Sequence, residues 1–209
     1  MMLGNFQNCF TRDTEPVQTS KEGRFGRIKD TSLQEFLAYF GGVSFNRGLY
    51  RIMTPLIFGL AEEFITEAFS AISGSLTGFS YDWLGRIFAL DNRRLEAGCP
   101  AVLMMEPGTG QVLQIPANLI SFHDHELIDF PDASLAVEFY DQWLASGGKT
   151  PRTNECVGYL KPLFLGGKDT LDNLAISDLD VYWSISAQLI NKTRQLPIGT
   201  RIKEVRIEP

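Results

Sequence analysis

Hydrophobic residues recur every three or four positions in several stretches of the chain, and this period predicts amphipathic helices. The longest begins at Thr54, an N-cap that is followed by proline at the first helical position. A shorter helix begins at Ser32 and ends at Gly41 and Gly42, which supply the conformational freedom of a helix stop. The polar side of the long helix carries three carboxylates, which are either a solvated face or a contact surface for a partner: Glu62, Glu63 and Glu67.

The period changes to that of strands in FSYDWLGRIFALD and again in PAVLMMEPGTGQVLQIP, two runs that are bounded by glycine and proline. EPGTG lies between two apolar runs and predicts a hairpin turn. A phosphate-binding glycine loop would open a helix, whereas QVLQIP after these glycines is typical of a second strand. The segregation of helices from hairpins predicts an α+β fold, built as two small lobes with helices packed on antiparallel hairpins.

The C-terminal part of the chain mixes extended and helical patterns. TNECVGYLKPLFLGG predicts a strand pair or a buried extended segment, which Pro162 breaks. The LGGKD turn lacks the longer glycine spacing of a phosphate loop, so we expect a tight turn with Lys168 and Asp169 at its exposed tip. The side chain of Asn173 is suited to holding the next turn. The last stretch, GTRIKEVRIEP, alternates imperfectly and predicts an edge strand.

The composition is that of an ordinary globular chain, with 44% hydrophobic and 21% charged residues. The net charge of −6 is unevenly distributed, since residues 121–146 contain six acids and no lysine or arginine. Such a segment argues against direct binding to nucleic acid, because phosphates need a cationic surface. It suits a basic protein partner, although a solvated acidic face explains the same residues. The candidate partner-binding residues in it are Asp124, Glu126 and Asp129.

Cysteine usage and hydropathy give expectations about the compartment. The three cysteines are widely spaced and form no C-x-x-C pair, which predicts neither a disulfide framework nor a zinc knuckle. No stretch approaches the roughly 20 apolar residues of a membrane helix, and the start of the chain has no signal-peptide pattern. We therefore expect a cytoplasmic protein with reduced thiols and no membrane contact. Residues 1–30, with scattered aromatic residues and mixed charge, predict a loosely ordered leader.

The only two histidines, His123 and His125, lie two residues apart in SFHDHELIDF. Imidazole and carboxylate groups are zinc and iron ligands, so a metal-dependent enzyme built on this pair is one hypothesis. A helix cap at Ser121 or Asp124 explains the same residues, and we expect no metal and no cofactor. The sequence has no G-x-S-x-G motif and no cysteine in a catalytic setting, so we expect no enzyme activity.

Five longer motifs carry a family resemblance. They are YDWLGRIFALD (81–91), MEPGTGQVLQIP (105–116), SFHDHEL (121–127), CVGYLKPLFLGGKDTLDNL (156–174) and SDLDVYWSISAQL (177–189). Together they resemble the immunity proteins of type VI secretion DNase toxins, which pair an N-terminal GAD-like domain with a small C-terminal domain. The resemblance covers about residues 31–205 and implies a GAD-like domain over 31–120, followed by an immunity-type domain over 121–209.

The resemblance implies a non-catalytic protein that binds its cognate secreted DNase effector, in a 1:1 complex, and blocks the active site or the DNA-binding surface. Three features of the residues agree with this function: no catalytic motif, no export signal, and an acidic segment suited to an enzyme that grips DNA. A general regulatory or peptide-binding adaptor without a toxin is the alternative. A metal-dependent enzyme that uses His123 and His125 is a second alternative.

Overall fold

The computed structural model describes residues 3–14, 25–26, 28–194, 196–197 and 200. The helices are α1 (Gly4–Cys9), α2 (Thr31–Phe40), α3 (Pro55–Ala68), α4 (Ser70–Ser73), α5 (Leu119–Ser121), α6 (Leu127–Asp129), α7 (Pro131–Leu135), α8 (Val137–Ala145) and α9 (Leu179–Thr193). A π-helical turn, Phe122–Glu126, joins α5 to α6, and 3-10 turns lie at Leu163–Leu165 and Leu171–Asn173. The strands are β1 (Ser44–Phe45), β2 (Tyr50–Ile52), β3 (Leu76–Asp82), β4 (Ile87–Glu96), β5 (Cys99–Glu106), β6 (Gln111–Asn118), β7 (Glu155–Tyr159) and β8 (Leu174–Asp178).

The strands form two antiparallel sheets, and the predicted α+β class is confirmed. Strands β1 to β6 follow one another in chain order in the larger sheet, and β7 pairs with β8 in the smaller one. Glu106 lies opposite Gln111, so EPGTG is the hairpin turn that the sequence predicted. Tyr159 lies opposite Leu174, so the apolar segment before Pro162 is a strand whose partner follows the LGGKD turn.

Helix starts follow from local capping chemistry. The Thr54 hydroxyl accepts a hydrogen bond from the amide of Ile57 at 3.2 Å, which confirms the predicted start of the long helix. The Asp30 carboxylate accepts from the amide of Leu33 at 2.8 Å, so α2 begins one residue earlier than predicted. Helix α3 ends at Ala68, since Phe69 leaves the helical conformation with φ −135° before α4 begins.

The larger sheet is covered on both faces. Tyr50 and Arg51 are neighbours on β2 and therefore point to opposite faces. On the first face, the Tyr50 ring packs with the rings of Phe6 and His123, so α1 and the helical segment 119–127 lie there. On the second face, the Arg51 guanidinium donates to the carbonyl of Pro151, in the loop that leads to β7.

A single buried cluster connects these layers. The Phe64 ring on α3 stacks on the Trp183 ring of α9, with centroids 5.9 Å apart and planes at 7°. Trp83, the residue after β3, donates through Nε1 to the carbonyl of Leu135 at 2.9 Å. The contiguous core therefore joins the residues before 120 to those after it, and burial of this apolar area is the main stabilising contribution. The predicted division at residues 120 and 121 remains a prediction.

Residues 3–14 differ from the loosely ordered leader that we predicted over residues 1–30. Phe6 on α1 is fully buried, and its ring stacks on that of Phe10 at 4.6 Å. Arg12 forms a β-bridge with Phe45 of β1. Short segments without a clear period conceal such anchors, because their burial depends on distant partners. Residues 15–24 of the predicted leader, and nearly all of the predicted GTRIKEVRIEP strand, lie outside the described residues.

Candidate partner-binding surface

The acidic segment is helical from its first residue. The Asn118 side-chain oxygen accepts from the amides of Ile120 and Ser121 at 3.0 and 3.1 Å, and the Ser121 hydroxyl accepts from the Asn118 amide at 3.0 Å. This reciprocal capping box starts α5 and the π-helical turn that follows it. The interpretation of these residues as a helix start is confirmed, although the cap is Asn118 rather than Ser121 or Asp124.

Two of the predicted binding residues in this segment are only partly exposed. One oxygen of the Asp124 carboxylate accepts from the Phe6 amide at 3.0 Å, at the start of α1. This carboxylate therefore holds the N-terminal helix, where a negative charge is favourable. Glu126 is half-buried, and its carbonyl accepts from the Phe130 amide at 3.1 Å and from the Ser134 hydroxyl at 3.3 Å.

The exposed carboxylates of the segment lie further along, from α6 to α8. The set that we call the acidic surface is Asp129, Asp132, Glu138 and Asp141. His125 lies 3.9 Å from Asp129, and Arg47 lies 3.7 Å from Asp141; all four of these side chains are exposed. Ion pairs between exposed groups contribute little, typically about 0–1 kcal/mol, so these carboxylates can exchange their partners at low cost.

An aromatic side chain that the sequence interpretation missed stands in this surface. Phe130 is 58% exposed, although phenylalanine is among the residue types most often buried. It lies between Asp129 and Pro131, at the junction of α6 and α7. The signal available in the sequence was an apolar residue inside the acidic run and next to a proline, where no helical stripe demands it. Exposed aromatic rings among charges are typical anchors of protein interfaces.

The other predicted residues lie on two separate surfaces. Glu62, Glu63 and Glu67 are exposed on α3. Helix α3 packs on the second face of the sheet, where Ala61 and Met53 fill the space beside Gly78. The acidic segment instead packs on the first face through His123 and Tyr50. The structure therefore does not bring the helix glutamates and the acidic surface together.

The LGGKD turn is fixed by the side chain of Asn173, which we expected to hold the next turn instead. Its side-chain oxygen accepts from the Lys161 amide at 2.9 Å, and its amino group donates to the carbonyls of Lys161 and Lys168 at 2.8 and 2.9 Å. Lys168 and Asp169 are both exposed at the tip. Asp169 accepts a hydrogen bond from the Tyr159 hydroxyl at 2.7 Å, and burial together with this carboxylate raises the pKa of Tyr159.

The EPGTG and LGGKD turns are more than 50 residues apart in the sequence, but both lie close to the ring of Tyr159. Leu163 donates its amide to the carbonyl of Gly108 at 2.8 Å. A side chain at Gly108 would overlap the Tyr159 ring, because a Cβ there would lie 2.6 Å from it. Both turns therefore lie where the β5–β6 hairpin contacts the C-terminal segment. Neither turn has the strand, glycine loop and helix that form a phosphate-binding site.

The geometry of the two histidines does not fit the metal hypothesis. His123 is fully buried, with Nδ1 2.7 Å from the Leu119 carbonyl and Nε2 2.9 Å from the Tyr50 hydroxyl, so both nitrogens have protein partners. Burial lowers the pKa of His123 to about 4. His125 is exposed and faces Asp129 instead. Within the described ranges, no three His, Cys, Asp or Glu side chains are grouped closely enough to hold a metal ion.

Cys156 also lacks the setting of a nucleophile. It is fully buried, and burial raises the pKa of its thiol, which keeps the sulfur protonated and poorly reactive.

None of the helices in the described part of the chain is both long and apolar enough to cross a membrane.

Comparison with known proteins found a match to a protein family and similarity to solved structures. Residues 120–190 match the family model of the C-terminal part of the T6SS immunity protein Tdi1. The crystal structure of Atu4351 from Agrobacterium tumefaciens superposes with a TM-score of 0.55 and 15% identity, covering 90% of this chain and 89% of that one. At this identity the superposition shows a shared fold and nothing more. No curated protein matches the chain.

The family match confirms the resemblance that the sequence motifs carried, over the range that it covers. Residues 120–190 extend from α5 to α9 and include the acidic surface, Phe130 and the LGGKD turn. They do not include the glutamates of α3. Over residues 120–190 the chain is similar to the C-terminal domain of the T6SS immunity protein Tdi1.

Proposed function

We propose that the chain is an immunity protein that binds a cognate type VI secreted DNase in the cytoplasm and blocks its active site or its DNA-binding surface, without catalysing a reaction. One observation carries this proposal: the segment that matches the immunity family, residues 120–190, is also the segment that displays the acidic surface. The complex is a 1:1 pairing of immunity protein and toxin, and neither nucleic acid nor a membrane takes part in the contact.

Charge supplies the reason for inhibition. An enzyme that holds DNA needs a cationic groove, because each bound phosphate must be neutralised. Carboxylates at Asp129, Asp132, Glu138 and Asp141 are exposed and can occupy such a groove in place of phosphates. The opposite charges also speed the encounter of the two proteins, and this effect weakens as salt screens the charges.

Apolar contact supplies the residence time. Phe130 exposes 58% of its surface beside the carboxylate of Asp129. Burying an aromatic ring at the centre of an interface contributes most of the binding energy of a typical hot spot, about 2 kcal/mol or more. We therefore assign the anchoring contact to Phe130 and the steering to the surrounding carboxylates. The exposed Lys168 and Asp169, and the glutamates of α3, form secondary candidates.

The test of this function is protection from the nuclease encoded beside this chain. Cells that co-express the two proteins keep intact DNA if the proposal holds, and the two proteins co-purify. Unchanged DNA degradation together with a failure to co-purify overturns the proposed function.

The test of the surface compares two matched charge reversals. Asp129→Arg combined with Glu138→Arg changes the acidic surface, whereas Glu63→Arg combined with Glu67→Arg makes the same change in charge on α3. We expect the first pair to slow association by about tenfold at low salt and the second pair to have a small effect. Phe130→Ala is expected to speed dissociation by about thirtyfold or more. Equal effects of the two charge reversals would reject the assignment to the acidic surface while leaving the immunity function intact.

A further inference from the structure

The two edges of the six-stranded sheet differ in how they are covered. Strand β1 is two residues long, and Arg12 bridges to Phe45 on its outer side. The carboxylate of Asp13 then accepts from the amides of Arg47 and Gly48 at 2.6 and 2.8 Å, which fixes the covering segment in place. Strand β6 is eight residues long and, among the described strands, pairs with β5 alone. Its outer edge therefore presents backbone donors and acceptors without a strand partner.

Only the second half of β6 carries a protective device. The register shifts between the pair Leu103–Gln114 and the pair Ala101–Asn118, so the strand bulges there. The bulge contains Pro116, which has no amide proton to offer to a neighbouring strand. The first half, 111–114, pairs with β5 in regular register. This half retains the geometry that a further strand needs.

The absence of charged residues along β6 indicates which kind of strand can pair with its edge. No charged residue and no histidine occurs from Pro107 to Phe122, whereas natural edge strands commonly carry charges that repel a second copy. Leu113, in the middle of the regular half, is 39% exposed. A cationic toxin would be matched by carboxylates, and this edge has none. Two copies of a chain with net charge −6 repel each other over most of their surfaces, but not along this edge.

We propose that β6 pairs antiparallel with β6 of a second copy of this chain, across a two-fold axis, so that the two six-stranded sheets form one continuous sheet. The same patch then serves both copies, and Leu113 of each lies close to the axis. The regular pairing is short, so the interface is smaller than the roughly 1,200–2,000 Å² of stable complexes. We expect a dissociation constant on the order of 10–100 µM. This contact is independent of the toxin and makes a 2:2 assembly out of two 1:1 pairs.

Sedimentation equilibrium of the full chain alone, from about 1 µM to about 1 mM, tests the dimer. We expect reversible dimerisation of the unmodified protein. Leu113→Lys places two cations at the axis and is expected to raise the dissociation constant by about tenfold or more. Leu56→Lys makes the same change in charge on α3, at a leucine that is 56% exposed, and is expected to leave the dimer unchanged. If Leu113→Lys fails to fold, Gln111→Lys at an exposed position of the same strand replaces it.

A cysteine scan locates the axis. In antiparallel pairing across a two-fold axis, one residue lies opposite its own copy, with Cβ atoms about 4.5–5.5 Å apart. Single cysteines at positions 111–115, in a Cys9→Ser, Cys99→Ser background, are expected to give an intermolecular disulfide at one position or at two positions of like parity. Leu56→Cys provides the control and should remain uncrosslinked.

Four outcomes would overturn the proposal. They are a monomer over the whole concentration range, a dimer that Leu113→Lys leaves intact, a scan without crosslinks, and a dimer that forms only after removal of residues 201–209. The last result would show that residues 201–209 of the same chain, rather than a second copy, occupy the edge of β6. Loss of toxin binding in Leu113→Lys with an intact dimer would assign it to the toxin. The measurements of the dimer are independent of whether the chain protects against the nuclease.

Discussion

Tyr50 and Arg51 are adjacent on β2 and equally buried, yet their polar groups are satisfied to different degrees. The Tyr50 hydroxyl lies 2.7 Å from the Ser80 hydroxyl and 2.9 Å from His123 Nε2. The Leu119 carbonyl can only accept, so His123 Nδ1 carries the proton and Nε2 accepts from Tyr50. Every polar atom of this first cluster has a partner. Arg51, on the other face, donates through Nη2 to Pro151, whereas its Nε and Nη1 have no hydrogen-bond partner within the described residues. The guanidinium also lies over the Tyr81 ring, 5.8 Å from its centroid.

The difference shows that burial alone does not measure how much a polar residue contributes to the stability of the folded state. A cluster whose hydrogen bonds are all made stabilises one position of the 119–127 helical segment, because any shift of that segment breaks the hydrogen bonds of the cluster. A buried guanidinium with unused donors keeps part of its desolvation penalty. The loop after α8 is nevertheless held at a second point, where the Tyr81 hydroxyl donates to the carbonyl of Thr153. We therefore expect the two faces of β2 to respond unequally to substitution.

The largest effect is expected for His123→Ala. This change removes a ring that contacts five aromatic neighbours and takes one of two partners from the Tyr50 hydroxyl, which keeps only Ser80. We expect the free energy of unfolding to fall by about 3–5 kcal/mol, measured by urea denaturation. His125→Ala, at an exposed position two residues away, is the matched control and should change it by less than about 0.5 kcal/mol. A similar loss in both variants would show that the first cluster has no special role.

A smaller effect is expected from pH, and it acts through the same histidine. Burial holds the folded-state pKa of His123 at about 4, below its ordinary value of 6.5, so the unfolded chain takes up the proton first. The contribution of neutral His123 is complete above pH 6.5 and is lost as the pH falls towards 4. The loss reaches about 3 kcal/mol.

A buried carboxyl group, that of Asp82, also titrates in this range, so a variant is needed for comparison. Burial raises the pKa of Asp82 to about 6, which stabilises the folded state as the pH falls. His123→Asn retains Asp82 and has no proton to gain, so the difference between the two proteins isolates the histidine. Parallel curves of unfolding free energy against pH, between pH 4 and 7, would contradict the assignment.

The smallest effect is expected for Arg51→Met on the second face. The substitution loses one hydrogen bond to Pro151, but it also removes the desolvation penalty of two unused donors. We expect a net loss of about 1 kcal/mol or less. Hydrogen exchange should accelerate in the loop around Pro151 and stay unchanged around His123. A loss as large as that of His123→Ala would show that Arg51 has partners that compensate its charge fully.

Sequence reasoning succeeded where the cause was local. The Thr54 cap and the EPGTG turn each depend on residues a few positions apart, and both are confirmed. It failed for Phe6, because all the rings that cover it except that of Phe10 lie between 34 and 117 positions away. No local period encodes such a contact.

The same limit applies to the candidate site. The exposure of Glu62, Glu63 and Glu67 follows from the helical period and is observed. Asp124 was expected to be available to a partner, but its carboxylate accepts from the amide of Phe6, 118 positions earlier. Phe130 was not identified, because the sequence alone does not show that the chain leaves this ring uncovered. Whether these residues contact a toxin stays a prediction.

The burial of His123 among rings from the first 80 residues has a consequence for how this protein can diversify. Residues 120–190 match the family model as one segment, so they are the obvious unit to exchange between related chains. The recipient must, however, supply Phe6, Phe36, Tyr50 and Phe79 in compatible positions. Recombination at residue 120 would therefore join two unmatched halves of one core. Point changes at exposed positions of α6 to α8, such as Asp129 and Glu138, need no such match.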